Sequence, residues 1–506
     1  MRLGIDFGTT RTIVAYVDRG NYPVVGFPDR DGDVHEYFPS VVARRGDALV
    51  WGFDALAAAE DGAPLVRSFK RTLGSPTVNS RTTVDVGGLE VPVPDLLAGF
   101  FTGLRQALAT DSTIADDLAG SDGATAIVAV PAHAHGAQRF LTLDAFKRAG
   151  FEVEAMINEP SAAGFEYTHR QGRTLTSRRT RVLVYDLGGG TFDASLVKVD
   201  GVSHEILGSL GLNRLGGDDF DEVLAAQALT MAGLGGDSLT AEQHRELLDD
   251  ARDAKEHLSP QTRRIPLDVA GQQVTVPTAD FYRSAAPLVD ATIDAMAPLV
   301  SGLDEAAALA GDIAGIYLVG GASGLPLVPR MLRERFGRRV HRSPYPAAST
   351  AIGLAIAADR DAGYSLTDRL SRGFGVFREG DAGETVRFDP IVDAEQVLPH
   401  EGATVITRRY RAAHNVGWYR FVEYTAVDPS GEPRGDIAPF AEVVFPFDPQ
   451  LQRRPEVGGV AVVRRENGPW VEEQYVIDPH GIVEVRITDL DTGYSQNRAL
   501  TLARAA

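Results

Sequence analysis

The feature that most constrains the fold of this chain is a short pattern that occurs twice. Near the start the sequence reads LGIDFGTTRTIVAYVD, and 180 residues later it reads LVYDLGGGTFDASLVKVD. Each copy has an apolar strand with an aspartate near its end, Asp6 or Asp186, then a glycine-containing turn and a second apolar strand. Apolar runs on both sides of a short turn are typical of a β-hairpin. The repeat therefore indicates one hairpin that is used twice in the fold.

The two parts of the chain have different periodicities. Up to about residue 358, short β-branched runs alternate with helical stretches, which predicts an α/β architecture. Helices are expected over 95–109, 136–149 and 241–258. Beyond residue 365 the runs are short and alternating, as in VRFDPIV, ATVITRRY, YRFVEYTAV, AEVVFPF and VAVVRREN. This part predicts an antiparallel β-domain of about 135 residues, with a linker over 359–369.

Composition excludes several classes of chemistry. The 506 residues include no cysteine, so disulfides, thiolate–zinc sites, iron–sulfur clusters and cysteine nucleophiles are ruled out. A formal net charge of −19 without a basic tract argues against nucleic acid or an anionic membrane as the main partner. A strand-like segment begins at Leu3, which leaves no room for a signal peptide, and aspartates interrupt the apolar stretches. We therefore expect a soluble, cytoplasmic protein.

The turns of the two hairpins are suited to binding phosphate. Glycine lets the backbone come close to a ligand, and successive N–H groups can point at an anion. An aspartate beside the phosphates would repel them unless a cation intervenes, and Mg²⁺ keeps water ligands that carboxylates can hold. Two ordinary glycine-rich hairpins are the alternative. The residues concerned are Gly8, Thr9, Thr10, Gly188, Gly189, Gly190 and Thr191.

Three further features are candidates for the same chemistry, each with a structural alternative. The turn YLVGGASGLP, with Gly320 and Gly321, suits a ribose or phosphate, although such turns are also common structural elements. Glu159, in INEPSAAG, either caps a helix or extends into a cleft to hold a water molecule. Lys70 is one of four lysines among 50 cationic residues. It is either solvated or placed beside a terminal phosphoryl group, where phosphoryl transfer needs a compact cation.

Together these segments resemble the 70-kilodalton heat-shock protein family, which are ATP-dependent chaperones of the actin-like ATPase superfamily. The matching segments, in order, are GIDFGTT, FKRTLG, VPAHAHGAQR, INEPSAAG, VYDLGGGTFD, RLGGDDFD, AKEHLS and VGGASGLPLV. The resemblance implies an α/β actin-like ATPase domain with duplicated ribonuclease-H-like halves over 1–358. A C-terminal antiparallel β-sandwich over 370–506 is similar, more faintly, to the family's peptide-binding domain.

The resemblance also implies roles for individual residues. Asp6, Asp186 and Asp193 would organise magnesium and its waters, while Lys70 and Glu159, with Asp193, would place and activate the hydrolytic water. The two glycine turns would hold the phosphates of ATP or ADP. The nucleoside side of the cleft would be lined by Gly216, Gly217, Lys255, Ser259, Gly320 and Gly321.

Communication and peptide binding are implied for the rest of the chain. Pro131 and Arg139 match a pair that the family uses to relay nucleotide state to the β-domain. Extended polypeptide would bind in the β-domain, and K⁺ is a further candidate cofactor. The candidate pocket residues are Phe374, Phe377, Ile406 and Phe421, for which ordinary sandwich core is the alternative.

Several departures from the family pattern fall at the adenosine end. An acidic residue is replaced by Arg252 and a basic one by Glu256, while the family's serine and adenine-stacking arginine are Ala322 and Gly324. An expected aspartate is Ala347. These replacements predict that ATP binds more weakly than is usual for the family.

Departures elsewhere concern regulation. The linker keeps only Leu366 and Leu370 of the family's leucine run, which predicts weak or altered coupling between the domains. Ala155 replaces an arginine that the family presents to J-domain co-chaperones, which argues against ordinary J-domain stimulation. The sequence ends soon after the last predicted strands, so we expect no helical lid and fast peptide exchange.

Two functions remain open from the sequence. The first is a slow, monomeric ATPase chaperone that binds unfolded or extended polypeptide or a dedicated client, without nucleic acid or membrane as partner. The second is a nucleotide-gated scaffold or signalling module that binds one partner protein. A sugar or acetate kinase of the same superfamily would leave the β-domain without a role, and an actin-like filament would have to accommodate a C-terminal sandwich in the polymer.

Overall fold

Two α/β lobes enclose a central cleft and are followed by a β-domain. The computed structural model describes residues 1–121, 123–171, 175–300, 313–337, 339–380, 384–454 and 456–498. The first lobe contains a five-stranded sheet. Its strands, in spatial order, are Glu152–Asn158, Thr125–Val130, Arg2–Phe7, Arg11–Tyr16 and Phe38–Pro39.

The second lobe repeats this plan around the second hairpin. In each lobe the first hairpin strand pairs antiparallel with the second and parallel with a later strand of the chain. The strand that begins at Arg181 is buried on both faces, as expected for a sheet covered by helices. The six strands, in spatial order, are Val340–Arg342, Ile313–Val319, Arg181–Leu187, Phe192–Asp200, Ser203–Leu212 and Ser365–Thr367.

Helices cover the sheets of both lobes. Two of these helices, Glu159–Gln171 and Ser349–Ala358, cross at very short distance. At Gly353 an added Cβ would lie 1.8 Å from the carbonyl oxygen of Ala162, so the two helices that cross there can approach only through glycine. The helices are Gly52–Glu60, Val93–Thr110, Ala115–Ala119, Gly136–Arg148, Glu159–Gln171, Gly217–Ala232, Ala241–Glu256, Thr278–Val300, Leu327–Phe336 and Ser349–Ala358.

Short strands form accessory sheets at the edges of the lobes. They extend the surface around the cleft without entering the two main sheets. Their bounds are Phe27–Pro28 with Val34–His35, Ala48–Trp51 with Val42–Arg45 and Leu65–Val66, Thr83–Val86 with Leu89–Pro92, and Arg264–Val269 with Gln272–Pro277.

The β-domain consists of two antiparallel four-stranded sheets with an apolar core between them. The first sheet has the order Thr385–Val392, Gly373–Gly380, Val416–Val427 and Pro433–Pro446. The second has the order Thr404–Arg411, Trp470–Ile477, Val483–Asp489 and Ser495–Arg498.

One predicted strand, VAVVRREN, is wrong. Residues 460–467 contain no strand, only an isolated bridge between His414 and Arg464. The side chain of Asn415 accepts a hydrogen bond from the Val463 amide at 2.7 Å and donates one to the Ala461 carbonyl at 3.1 Å. Two backbone hydrogen bonds, from the Asn415 amide to the Val463 carbonyl at 3.0 Å and from the Arg465 amide to the Ala413 carbonyl at 2.7 Å, complete the contact, which stays an isolated bridge and does not extend into a strand ladder.

The β-domain contacts both lobes. In the first lobe, both carboxylate oxygens of Glu423 accept hydrogen bonds from the amide of Gly136, at 2.9 and 2.8 Å, where a helix begins. A carboxylate is favoured at this end of the helix dipole. In the second lobe, the strand Ser365–Thr367, which lies in the predicted linker, adds to the edge of the main sheet. Arg369 then donates to the carbonyl of Ile206 at 2.8 Å.

No helix among the described residues combines the length and the apolar character needed to cross a lipid bilayer.

Candidate functional site

The turns of the two hairpins meet across the central cleft, which has a volume of about 340 Å³. An added Cβ at Gly190 would lie 2.8 Å from Thr9 Oγ1, and one at Gly189 would lie 3.1 Å from Thr10 Cγ2. Most of the predicted site residues line this one cleft. They are Asp6, Gly8, Thr9, Thr10, Lys70, Glu159, Asp186, Gly188, Gly189, Thr191, Gly217, Lys255, Gly320 and Gly321.

Four predicted site residues lie behind or beside the cleft wall. Gly190 packs under the first turn, and an added Cβ at Gly216 would lie 2.5 Å from its amide nitrogen. Asp193 is 2% exposed and accepts a hydrogen bond from the His133 amide at 3.3 Å. The hydroxyl of Ser259 forms a hydrogen bond with the hydroxyl of Thr262, and Ser259 lines a neighbouring cavity. Gly190 and Gly216 thus shape the backbone, while Ser259 lies outside the main cleft.

A buried ion pair stands at the centre of the cleft. Lys70 Nζ donates to Glu159 Oε1 at 2.9 Å, and the two side chains are 7% and 10% exposed. Burial opposes protonation of Lys70, but the carboxylates of Glu159, Asp6 and Asp193 outweigh it and raise the pKa of the ammonium. Lys70 therefore stays a cation, which is the state that binding a phosphoryl group requires.

Three aspartates around this pair have strongly perturbed acidity. Burial and the charge of Glu159 raise the pKa of Asp6 to about 7 and that of Asp193 to about 7, against the opposing effect of Lys70. Burial and the same neighbouring carboxylates raise the pKa of Asp186 well above its usual range. Four acidic groups thus crowd around one lysine, and the raised pKa values mean that the aspartates hold their protons more tightly than usual; a further cation would favour their ionised forms.

This excess of buried carboxylate fits a cation. The described residues contain no group of three acidic or histidine side chains close enough to chelate a metal directly. Oxygen donors that are spread around a cleft suit Mg²⁺, which keeps several water ligands and takes others from phosphate. Asp6, Asp186 and Asp193 are the residues that would hold such waters.

Local structure positions each of these groups. Asp186 pairs in register with Asp193 across the second hairpin, so both lie at one end of the sheet. Glu159 opens a helix directly after the strand Glu152–Asn158. Gly320 has φ +81°, and a Cβ there would lie 2.4 Å from Asp186 Oδ1, so only glycine lets the third turn come so close to the carboxylate.

The other end of the cleft is rich in ion pairs. Lys255 Nζ lies 2.5 Å from Asp221 Oδ1 and donates to the Gly217 carbonyl at 2.7 Å. Burial raises the pKa of Asp221 to about 6, although Lys255 opposes the shift. Arg252, which departs from the family pattern, pairs with Asp218 at 3.3 Å. The unusual arginine thus has a local carboxylate partner.

Sequence reasoning missed two arginines of this cleft. Arg11 Nη2 lies 2.5 Å from Glu256 Oε2, 245 positions away, and so joins the two lobes across the cleft. Arg342 Nη2 lies 2.8 Å from where a Cβ of Gly324 would be, so its guanidinium fills the space next to the glycine that replaces the family's arginine. Position 342 is only 18 residues from Gly324 in sequence, but nothing local indicates that its side chain points into the cleft.

We expect Arg342→Ala to weaken ATP binding. A planar guanidinium stacks on purine faces, and its loss should raise the dissociation constant by about tenfold. Isothermal titration calorimetry measures the constant, and Arg335→Ala is the matched control because Arg335 is exposed on the helix Leu327–Phe336. Equal affinities for Arg342→Ala and the parent would show that Arg342 does not contact the base. The weaker ATP binding predicted from the sequence stays a prediction that the same titration decides.

The predicted relay residues lie between the cleft and the β-domain. Arg139 is 3% exposed and donates to Asn158 Oδ1 at 2.6 Å and to the His480 carbonyl at 3.2 Å. Asn158 in turn donates to the carboxylate of Asp368 at 3.1 and 3.0 Å. Pro131 directly follows the strand Thr125–Val130 at the same end of the sheet. Arg139 therefore donates hydrogen bonds both to the first lobe and to the β-domain.

The four predicted peptide-pocket residues do not line one pocket in this structure. Phe374 and Phe421 stack 5.9 Å apart in the core between the sheets, each 1% exposed. Ile406 packs against the same core from the second sheet. Phe377, three positions from Phe374, lies on the opposite face, 5.0 Å from Phe388. Side chains alternate along a strand, so residues three apart point to different faces.

Comparison with known proteins agrees with this geometry. A model of the Hsp70 protein family matches residues 106–370, just over half of the chain. The chain belongs to the Hsp70 family. It is 35% identical over 388 residues to the chaperone protein HscA homolog of Burkholderia thailandensis, which covers 72% of this chain and 59% of the relative. It is 36% identical over 373 residues to the chaperone protein HscA of Klebsiella pneumoniae, covering 70% and 57%.

Membership of the Hsp70 family confirms the predicted fold class. The two lobes with duplicated hairpins form the actin-like α/β fold, and the antiparallel β-domain follows them. The chain spans about three fifths of the length of the curated relatives it matches. Activities of the longer relatives are therefore proposed for this Hsp70-family protein and are not assigned to it from the similarity.

Proposed function

We propose that this protein binds and slowly hydrolyses ATP in the central cleft and couples the nucleotide to binding of extended polypeptide by its β-domain. The observation that carries the proposal is the buried Lys70–Glu159 pair at 2.9 Å, surrounded by three aspartates and facing two glycine turns. Phosphoryl transfer depends on positioning and on charge stabilisation more than on covalent chemistry. A protected cation among carboxylates at a phosphate-binding turn supplies both.

The groups at the phosphate end of the cleft each have a part in this proposal. The N–H groups of the turns at Gly8 and Gly188 hold phosphate oxygens, and Lys70 places its ammonium at the terminal phosphoryl group. Glu159 and Asp193 orient the attacking water and accept its proton. Magnesium, when bound, supplies charge neutralisation for the phosphates.

A continuous set of contacts supports coupling between the cleft and the β-domain. Asn158, which precedes Glu159, accepts from Arg139, and Arg139 donates to the β-domain at His480. Asp193 accepts from the amide of His133, one turn before the helix whose first amide binds Glu423. A shift of either catalytic carboxylate would therefore strain a contact to the β-domain.

The scaffold alternative rests on the placement of the pocket candidates. Phe374 and Phe421 fill the core, so they offer no apolar pocket for unrelated unfolded peptides. A β-domain of this kind would suit one dedicated partner whose binding the nucleotide switches. Binding of many unrelated extended peptides would favour the chaperone, whereas one partner that co-purifies and dissociates with ATP would favour the switch.

Limited trypsin digestion tests the coupling. Arg369 is held by the Ile206 carbonyl and by Glu205 at 3.0 Å, so cleavage after it reports on the position of the linker strand. We expect a rate of cleavage that differs between ATP, ADP and no nucleotide. In Glu423→Ala the difference should shrink by about fivefold, because the hydrogen bond that the Gly136 amide shares between the two charged carboxylate oxygens is lost.

Glu442→Ala is the matched control for this experiment, because Glu442 is exposed on the same sheet. It should keep the nucleotide dependence of the parent. Identical cleavage of the parent in all three states would contradict coupling. Release of inorganic phosphate from ATP, measured on the same sample, shows whether hydrolysis itself takes place.

A further inference from the structure

A second cleft opens at one end of the β-domain and is unusually basic for so acidic a chain. Its volume is about 510 Å³, and it lies between the two sheets. Five of its lining residues are arginines and two are carboxylates, whereas the whole chain has a net charge of −19. We call it the arginine cleft; the arginines are Arg378, Arg408, Arg409, Arg411 and Arg464.

Two of these arginines are neutralised within the domain. Arg378 is held by the buried carboxylate of Glu473 and lies 3.0 Å from Asp389, so it forms a fixed floor. Arg409 pairs with Glu472 at 2.5 Å. Their charge is therefore largely unavailable to a ligand.

The remaining three arginines keep their charge free. Within the described residues, no carboxylate lies within ion-pair distance of Arg408, Arg411 or Arg464. Arg411 stacks over the ring of Trp470 at 4.9 Å and donates to the Gly468 carbonyl at 3.2 Å. Unpaired guanidinium groups grouped at a concave surface favour a ligand that brings carboxylates.

The wall of the arginine cleft is also an edge strand. Thr404–Arg411 pairs on one side with Trp470–Ile477, and no other described strand pairs with its second side. An edge strand presents unpaired N–H and C=O groups to which an extended peptide can add. Arg408 shares the inward face of this strand with Tyr410, two positions away, so it points into the cleft.

We propose that the arginine cleft binds acidic segments of extended polypeptide, by strand addition along Thr404–Arg411 with ligand carboxylates at Arg408 and Arg464. The inference rests on the proposed function, because it names the class of polypeptide that the β-domain takes. The edge strand favours a peptide backbone as the occupant, and the net charge of the chain opposes a long polyanion such as a nucleic acid.

Fluorescence anisotropy with the full chain tests the proposal. Three labelled ten-residue peptides share one apolar framework and differ at alternate positions, which carry Glu, Gln or Lys. We expect the Glu peptide to bind about tenfold more tightly than the Gln peptide at low salt, and the Lys peptide to bind most weakly. Raising the salt concentration should reduce the difference.

Variants locate the effect. Arg408→Gln and Arg464→Gln should each remove most of the preference for the Glu peptide, measured as the ratio of the dissociation constants of the Gln and Glu peptides for the same variant. Arg420→Gln is the matched control, because Arg420 is exposed on the outer face of the first sheet and does not line the cleft. A control that also loses the preference would place the acidic site elsewhere and overturn the proposal.

Three other results would overturn the proposal in distinguishable ways. Equal binding of the three peptides would remove the acidic preference but leave the proposed function intact. No binding of any peptide, with ATP still hydrolysed, would refute peptide binding itself. Tighter binding of a single-stranded oligonucleotide of equal charge would show that the cleft takes nucleic acid.

Discussion

Lys70→Ala should lower the turnover number for ATP hydrolysis by about a hundredfold or more, with a much smaller effect on the dissociation constant for ADP. The ammonium is buried, fully charged and bonded to Glu159, so no water or neighbouring group can replace it. A cation at the terminal phosphoryl group acts mainly on the transition state, whereas ADP lacks that group. The expected result is therefore a loss of turnover with nucleotide binding retained.

Two variants make this result specific. Lys147→Ala removes an exposed lysine of the same lobe and should leave turnover unchanged. Lys70→Arg keeps the charge, but a forked guanidinium does not fit a pocket built for a compact ammonium, so we expect only slight recovery. Full activity in Lys70→Ala would remove Lys70 from the mechanism. A variant that fails to bind ADP as well would report damage to the lobe, which circular dichroism would show independently.

Arg378→Ala should destabilise the β-domain by about 3–5 kcal/mol, because it leaves a buried carboxylate without its partner. Glu473 is 0% exposed, and Arg378 contacts it from the opposite sheet. The hydroxyl groups of Tyr410 and Tyr475 also donate to Glu473 at 2.5 Å, but they carry no charge. The pair therefore joins the two sheets through a charge that cannot stay buried alone.

Urea unfolding followed by tryptophan fluorescence measures this loss, since two of the three tryptophans, Trp418 and Trp470, lie in the β-domain. Replacing both partners, as in Arg378→Met with Glu473→Leu, should cost far less, because no charge is left buried. A double variant that is as unstable as the single one would mean that packing at this position, not the charge, sets the stability.

Much of the lining of the central cleft could be predicted because it depends on local patterns. The repeated hairpin places Asp6 and Asp186 at equivalent sheet positions. The glycine turns indicate a backbone that can come close to a ligand. The strand and helix periodicities likewise depend on neighbours along the chain. These features need no knowledge of which distant segments meet.

The features that the sequence did not predict depend on contacts between residues that are distant along the chain, which periodicity does not specify. Arg342 reaches the space beside Gly324 only because two segments are adjacent in the folded lobe. The side chain of Asn415 satisfies two backbone groups of the segment VAVVRREN, and no propensity indicates that contact. The strand that contains Phe374 pairs with Val416–Val427. This distant pairing decides which aromatic side chains of the strand point into the core.

The two attachments of the β-domain have a mechanical consequence. One lies on the first lobe at Gly136, and the other is made by the linker strand Ser365–Thr367 on the second lobe, across the cleft. If the β-domain moves as one body, rotation of one lobe relative to the other would strain or release one of these contacts. Under the proposed function, the contacts of the β-domain would respond to the separation of the lobes, and a ligand bound to the β-domain would change the free energy needed to open the cleft.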